Sequence, residues 1–161
     1  MSHSLTSIVA RECFCSYSIK TYRSADRGDD KCSMSCTGNS AEPCGAGGFL
    51  TVYRSSAPPP QVHQDSNGYQ HLNCYADDVR SRSLRHALHN SGNSASMTVD
   101  TCTSLCAAAG YGLAGLEFGG ECWCDNVLGH SAHVEKGRDG CDMSCNGNKH
   151  EWCGGKDRID L

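Results

Sequence analysis

The residue types that could do chemistry in this chain are thiol, indole and carboxylate, and all three meet in the hexapeptide ECWCDN at residues 121–126. Cysteines hold metals or close disulfides, and their spacing decides between the two. Twelve of the 13 cysteines, all but Cys74, recur as C-x-C (Cys13 and Cys15, Cys122 and Cys124), C-x3-C (Cys32 and Cys36, Cys102 and Cys106, Cys141 and Cys145) and C-x7-C (Cys36 and Cys44, Cys145 and Cys153). The paired C-x2-C knuckles that tetrahedral zinc selects are missing, so the expected sulfur chemistry is disulfide formation in an oxidising compartment, with no metal.

The indole chemistry is sugar binding. Trp123, with Glu117, Asp125 and Asn126 close by, offers an aromatic plane for the apolar face of a sugar ring and carboxylate or amide groups for its hydroxyls. The competing role for Trp123 is packing under a loop such as GHSAHVEKG, since large aromatic side chains are usually partly buried. Phe14 holds the same place in the earlier hexapeptide ECFCSY, without a ring N–H to donate. Trp152 and Tyr111 are secondary candidates.

The carboxylates invite a glycosidase reading, because Glu121 repeats as Glu12. That mechanism needs two carboxyl groups facing across a cleft, and a module this small has little room for one, so no catalytic residue is assigned and Glu121 is expected to hold a hairpin turn. His86 with His89, and His130 with His133, have i, i+3 spacing but sit among Gly, Ser and Asn and read as solvated loop. A copper site built on an N-terminal histidine is not available from MSH. Nucleotide and cofactor motifs are missing, and a net charge of −4 without a basic block excludes nucleic acid as a partner. No stretch approaches the roughly 20 apolar residues that span a bilayer.

The elements that position these groups are duplicated. Cys13, Cys15, Cys32, Cys36 and Cys44 recur at a constant offset of 109 as Cys122, Cys124, Cys141, Cys145 and Cys153, and CSMSCTGN recurs as CDMSCNGN. Residues 1–54 therefore form one repeat and 69–161 another, joined by SSAPPPQVHQDSNG (55–68), whose prolines favour a stiff extended linker. The counterparts of Cys74, Cys102 and Cys106 have no place in the first repeat, so the chain is expected to be a fragment of a longer secreted protein, with the first repeat lacking its front half. Small units with little core need covalent staples.

In the second repeat, MTVDTCTSLCAAAGYG predicts a helix capped by Thr98, with Asp100 in its first turn, Gly110 at its end, and Val99, Cys102, Leu105, Cys106 and Ala109 on one face. LAGLEFGGECWCDN predicts a hairpin turning at Gly119–Glu121, with Phe118 opposite Cys122 and Leu116 opposite Cys124. Alternation then turns Glu117, Trp123 and Asp125 away from the helix. Cys102 and Cys106 should pair with Cys122 and Cys124, and Cys74 with one of Cys141, Cys145 and Cys153 while the other two pair. Cys32, Cys36 and Cys44 are the disulfide candidates of the first repeat.

NCYADD, SMTVDTCTSLCAAAGYGLAGLEFGGECWCDN, CDMSCNGNKHEWCGG and the terminal RIDL resemble the WSC domain, a cysteine-rich module of fungal cell-surface sensors and secreted enzymes. The resemblance covers nearly all of the second repeat and, in the first, only ECFC to LTVY. It implies a small disulfide-rich α+β module similar to PAN/apple domains, one helix packed on an antiparallel sheet. It also implies a secreted or cell-surface, non-catalytic, monomeric protein whose partner is cell-wall polysaccharide: β-glucan, chitin or xylan. A PAN-like protein-interaction module, or an appendage of a wall-active oxidase or hydrolase, is the alternative. Two departures stand out: Trp152 before the last cysteine, and the longer insert SRSLRHALHNSGN after NCYADD.

Overall fold

The computed structural model describes residues 5–9, 11–16, 19 and 28–161, in two compact units that divide between Pro59 and Pro60. Met1 to His3 and Tyr17, the last residue of ECFCSY, lie outside the described residues.

In the first unit, β1 (Leu5–Val9), β2 (Glu12–Ser16) and β3 (Thr51–Arg54) form an antiparallel sheet in the order β2-β1-β3. Ile8 lies opposite Cys13 and Thr51, and Thr6 opposite Cys15 and Tyr53, so both cysteines share one face with these residues. Phe14 points to the other face and is 50% exposed. Cys36 bonds Cys44, whereas Cys13, Cys15 and Cys32 are free thiols. The expected disulfide at Cys32 is thus corrected. Its counterpart Cys141 is bonded to Cys74, whereas among the described residues no cysteine stands within bonding distance of Cys32.

The second unit holds β4 (Asp65–Ser66), β5 (Tyr69–Gln70), β6 (Cys74–Ala76), β7 (His86–Leu88), α1 (Val99–Ala108), β8 (Leu113–Glu117), β9 (Glu121–Asp125) and β10 (Arg158–Asp160). Five of the strands form an antiparallel sheet in the order β6-β10-β8-β9-β7, and β4 pairs with β5. One helix on an antiparallel sheet, with several disulfides, is the α+β class the sequence implies.

The helix begins where its cap directs. Thr98 Oγ1 accepts the Thr101 N–H at 3.0 Å, and Gly110 leaves the helix at φ +80°. Cys102 and Cys106 are buried on its inner face, bonded to Cys122 and Cys124 respectively. Cys74–Cys141 and Cys145–Cys153 complete the set, within the pairings expected. Ala109 is exposed instead of joining the inner face, because it is the C-cap and the helical periodicity has ended. Met97, Leu116 and the sulfurs make the core between helix and sheet.

Two expectations need correction. The hairpin turns through Phe118–Gly120, so Leu116 faces Cys122, Ala114 faces Cys124, and Glu117 faces Glu121. Phe118 and Gly119 both have positive φ, 52° and 73°, and the turn docks on the closing segment: Phe118 N–H donates to Gly155 O, and Gly119 N–H to Cys153 O. Phe118 is thereby expelled from the apolar face and is 53% exposed. The second correction concerns residues 55–68, which are not linker throughout. Gln61 N–H donates to His150 O, Trp152 N–H donates to Gln61 O, and the buried Ser66 hydroxyl donates to the Asp100 carboxylate at 2.9 Å. The backbone of Gln61 thus pairs with residues 150–152, and the side chains of Ser66 and Asn67, which look solvated locally, find partners on α1.

Candidate functional site

Alternation places Glu117, Glu121, Trp123 and Asp125 on the sheet face away from α1, as their register requires. That face is covered in part. Leu84, Ile159 and Leu161 form a small apolar cluster on it, with Tyr75, Leu113, Trp123 and Leu128 packed alongside. Gly115 lies directly opposite Trp123, and a Cβ there would stand 2.6 Å from Ile159 Cδ1. Only glycine lets Ile159 come so close.

Arg82, from the insert, organises the covered part. Its Nη1 donates to Asp77 Oδ2 and Glu117 Oε2, each at 2.5 Å, and its guanidinium carbon sits 4.2 Å from the Trp123 ring centroid. Trp123 Nε1–H donates to Glu121 Oε2 at 3.0 Å. Glu121 therefore holds the indole as well as opening β9. Arg85 Nε and Nη2 grip both oxygens of Asp125, at 2.7 and 3.0 Å. Glu117 and Asp125, expected to meet sugar hydroxyls, are each 3% exposed and committed to these partners.

Their electrostatics follow. Burial pushes the Glu117 carboxyl up to about 8, and the hydrogen bond and charge of Asp77 push the same way. Asp77 goes down despite its burial, because the Ser83 N–H and Arg82 stabilise its anion. Asp125 lies below the usual carboxylate range through its Arg85 hydrogen bond.

The other candidates are dispersed. Asn126 accepts the Gly112 N–H at 2.7 Å. Tyr111 stacks on His86 with centroids 5.0 Å apart, and His86 belongs to β7 rather than to a solvated loop. Trp152, Tyr69, His63, His71, Val99 and Leu113 line a cavity of about 490 Å³, together with the buried Asp160, which is bonded to His71 and Arg138. Sequence reasoning missed Arg82, whose partners lie 5, 35 and 39 positions away. Two arginines bracketing Ser83 and Leu84 in the insert were the available signal.

Trp123 is half-buried. Ala87, small and exposed, is its direct neighbour on the edge strand β7, and beside it stand exposed Arg85 and Glu121, whose side chain is 43% exposed. A half-buried indole on a doubly stapled strand, bordered by a cation and a carboxylate, can stack a sugar ring edge-on and bind its hydroxyls.

The model of the WSC domain family matches residues 71–155, the span from the strand that carries Cys74 through the last disulfide. The chain belongs to the WSC domain family. A WSC domain-containing protein of Arthroderma benhamiae is 41% identical over 98 residues, 60% of this chain and 11% of its own length. A second WSC domain-containing protein of that fungus is 29% identical over 150 residues, 93% of this chain and 20% of its own. Xylosyltransferase sqv-6 of Caenorhabditis briggsae is 32% identical over 100 residues, 62% of this chain and 12% of its own. The chain thus spans a fifth or less of the length of these curated relatives. Membership of this family supports the role of a carbohydrate-binding module in general. Among the described residues no helix is long and apolar enough to cross a membrane.

Proposed function

We propose that the second WSC module binds cell-wall polysaccharide, β-glucan, chitin or xylan, outside the cell and without cleaving it. The observation that carries this reading is the half-buried Trp123 set opposite the small, exposed Ala87 of the edge strand, between Arg85 and Glu121. The absence of catalysis is part of the proposal. Asp77 and Glu117, the two carboxyls whose ionisation is set apart, are bridged to each other's partner Arg82 and buried instead of facing across a cleft. The first unit, which repeats the closing part of the module, would add a second weak site and so avidity on a repeating polymer.

Retention of the full chain on insoluble glucan, chitin and xylan tests the reading. Ala87→Arg fills the space beside Trp123 from an exposed edge-strand position. It should abolish retention on whichever polymer binds while leaving the melting temperature unchanged. The 490 Å³ cavity beside Trp152 supports a second site for the same ligand class. Full retention by Ala87→Arg, with loss in Trp152→Ala, would move the site there.

A further inference from the structure

The cavity of about 490 Å³ in the second unit is walled on one side by the helix and sheet, and on the other by a segment that precedes the matched span 71–155. α1 gives Val99 and Thr103, and β8 gives Leu113, Ala114 and Leu116. The near wall is Val62, His63, Ser66, Gly68, Tyr69 and Gln70. Trp152, one of the two departures from the WSC pattern, also lines it, and the Arg138 guanidinium carbon, 5.8 Å from its ring centroid, helps to hold the indole there. The volume is that of sites which enclose a small molecule.

The polar groups deep in this wall are spent inside the protein. The Ser66 hydroxyl donates to the Asp100 carboxylate, the Thr103 hydroxyl to Val99 O, and the Tyr69 hydroxyl to Tyr111 O. The buried Asp160 accepts from Arg138 Nη1 and Nη2 at 2.9 and 2.7 Å and from the Gly154 N–H at 3.2 Å, and His71 Nε2 lies 3.4 Å from it. What these groups leave to a ligand is the apolar surface of Val62, Val99, Leu113, Leu116 and Leu161 and the half-buried rings of Trp152 and Tyr69. His63 and Gln70, both exposed, supply a polar rim.

That division of the wall selects a ligand. A sugar ring carries hydroxyls round its perimeter, and each one buried here without a partner lowers affinity by a factor of about 5 to 150. An aromatic ring makes no such demand. It fills the apolar interior, meets Trp152 and Tyr69 stacked or edge-on, and needs a polar partner only for a substituent at the rim.

We propose that this cavity binds the single aromatic ring of a phenolic compound, ring inward, with its polar substituent between His63 and Gln70. Two sources offer such a ring: a free phenolic molecule, and a phenolic acid esterified to a polysaccharide. The second source rests on the proposed polysaccharide binding, and the first does not.

The probe is methyl ferulate, a neutral single-ring phenol, titrated into the full chain. The chain has two tryptophans, so two indole N–H resonances report which one is touched. The Trp152 resonance should shift to saturation while that of Trp123 stays in place, and excess xylohexaose, a sugar without an aryl group, should not reverse the shift. Val62→Trp fills the cavity from a segment outside every strand and helix and should weaken binding at least about tenfold; Trp152→Leu should weaken it about fivefold. Ala87→Arg should leave methyl ferulate binding unchanged, which keeps the fate of this site separate from that of Trp123. The source is read from the Ala87→Arg chain on arabinoxylan bearing feruloyl esters and on the same polymer stripped of them by alkali. Retention by the esterified polymer alone assigns the polymer-borne ring, and retention by neither, or by both alike, assigns the free molecule. A Trp152 resonance that does not move, or that moves equally well in Val62→Trp, would overturn the proposal. So would displacement of methyl ferulate by xylohexaose, which would make the cavity a sugar site.

Discussion

The closing segments of the two units carry the same hydrogen bonds, although among the described residues only the second unit has an α-helix. Met34 N–H donates to Gly45 O and Met143 N–H to Gly154 O, both at 2.9 Å; Cys36 N–H donates to Glu42 O and Cys145 N–H to Glu151 O, again at 2.9 Å. Cys36–Cys44 and Cys145–Cys153 both span 4.8 Å between Cα atoms. This part of the module is set by contacts near in sequence. What differs between the units is everything that residues 74–108 contribute: the helix, both outer strands and the partners of three sulfurs. The WSC module is thus a local knot at its end and a long-range clasp at its front, and the two can be attacked separately.

The largest separation should come from the clasp. Cys74–Cys141 joins residues 67 apart, against 8 for Cys145–Cys153. Loop-closure entropy gives about 4.4 kcal/mol for the first and about 2.5 kcal/mol for the second. Cys74→Ser/Cys141→Ser should therefore lower the urea midpoint of the second unit well beyond Cys145→Ser/Cys153→Ser, and leave the Cys36–Cys44 region untouched. Equal losses would mean that the front of the module is not the clasp.

A pH dependence should also divide the units. Glu117 binds a proton more readily folded than unfolded, so its contribution is whole below about 4.5 and is lost as pH rises through about 8. The loss is on the order of a few kcal/mol. Val9 occupies the matching place in the first unit, opposite Glu12 as Glu117 is opposite Glu121, and has nothing to titrate. Unfolding of the second unit followed between pH 5 and 9 should show stability falling with pH, and Glu117→Gln should flatten the profile. A flat wild-type profile would show that burial does not raise the Glu117 carboxyl on folding.

How much of this was legible follows the same division. The helix was readable from Thr98, Asp100 and Gly110, because caps and periodicity are local. The partners of Cys102 and Cys106 were readable once the helix and hairpin were set face to face. The hairpin register was not, since the residues that fix it, Cys153 and Gly155, receive its N–H groups from more than 30 positions away. Nor was the fate of Glu117 and Asp125: alternation gave their side of the sheet, while Arg82 and Arg85, which occupy them, come from an insert with no period of its own.

Gly45 and Gly154 test the shared knot. Both have positive φ, 66° and 69°, and a Cβ would stand 2.5 Å from Phe49 O in one and 2.3 Å from Leu116 O in the other. Gly154→Ala should cost about 2 kcal/mol or more, through backbone strain and contact with carbonyl groups that cannot move aside. Gly45→Ala should disturb the first unit in kind, read as loss of amide protection at Met34 and Cys44. An unperturbed Gly45→Ala would break the equivalence of the two knots.

The smallest expected effect is the most informative for function. Trp123→Phe makes the second unit resemble the first, where Phe14 stands between Cys13 and Cys15. The benzyl ring keeps contact with Leu84 and Ile159 and leaves Arg82 an aromatic face, but the hydrogen bond to Glu121 is lost. Stability should fall by about 1 kcal/mol, the net worth of one such bond plus a little packing. Retention on polysaccharide should weaken without vanishing, because the apolar edge survives while Glu121 loses the N–H that aims its carboxylate. If Trp123 served packing alone, retention would not change at all. If retention vanished while the melting temperature stayed level, the indole N–H itself would be a direct donor to the sugar, and the exposed Phe14 of the first unit could not stand in for it.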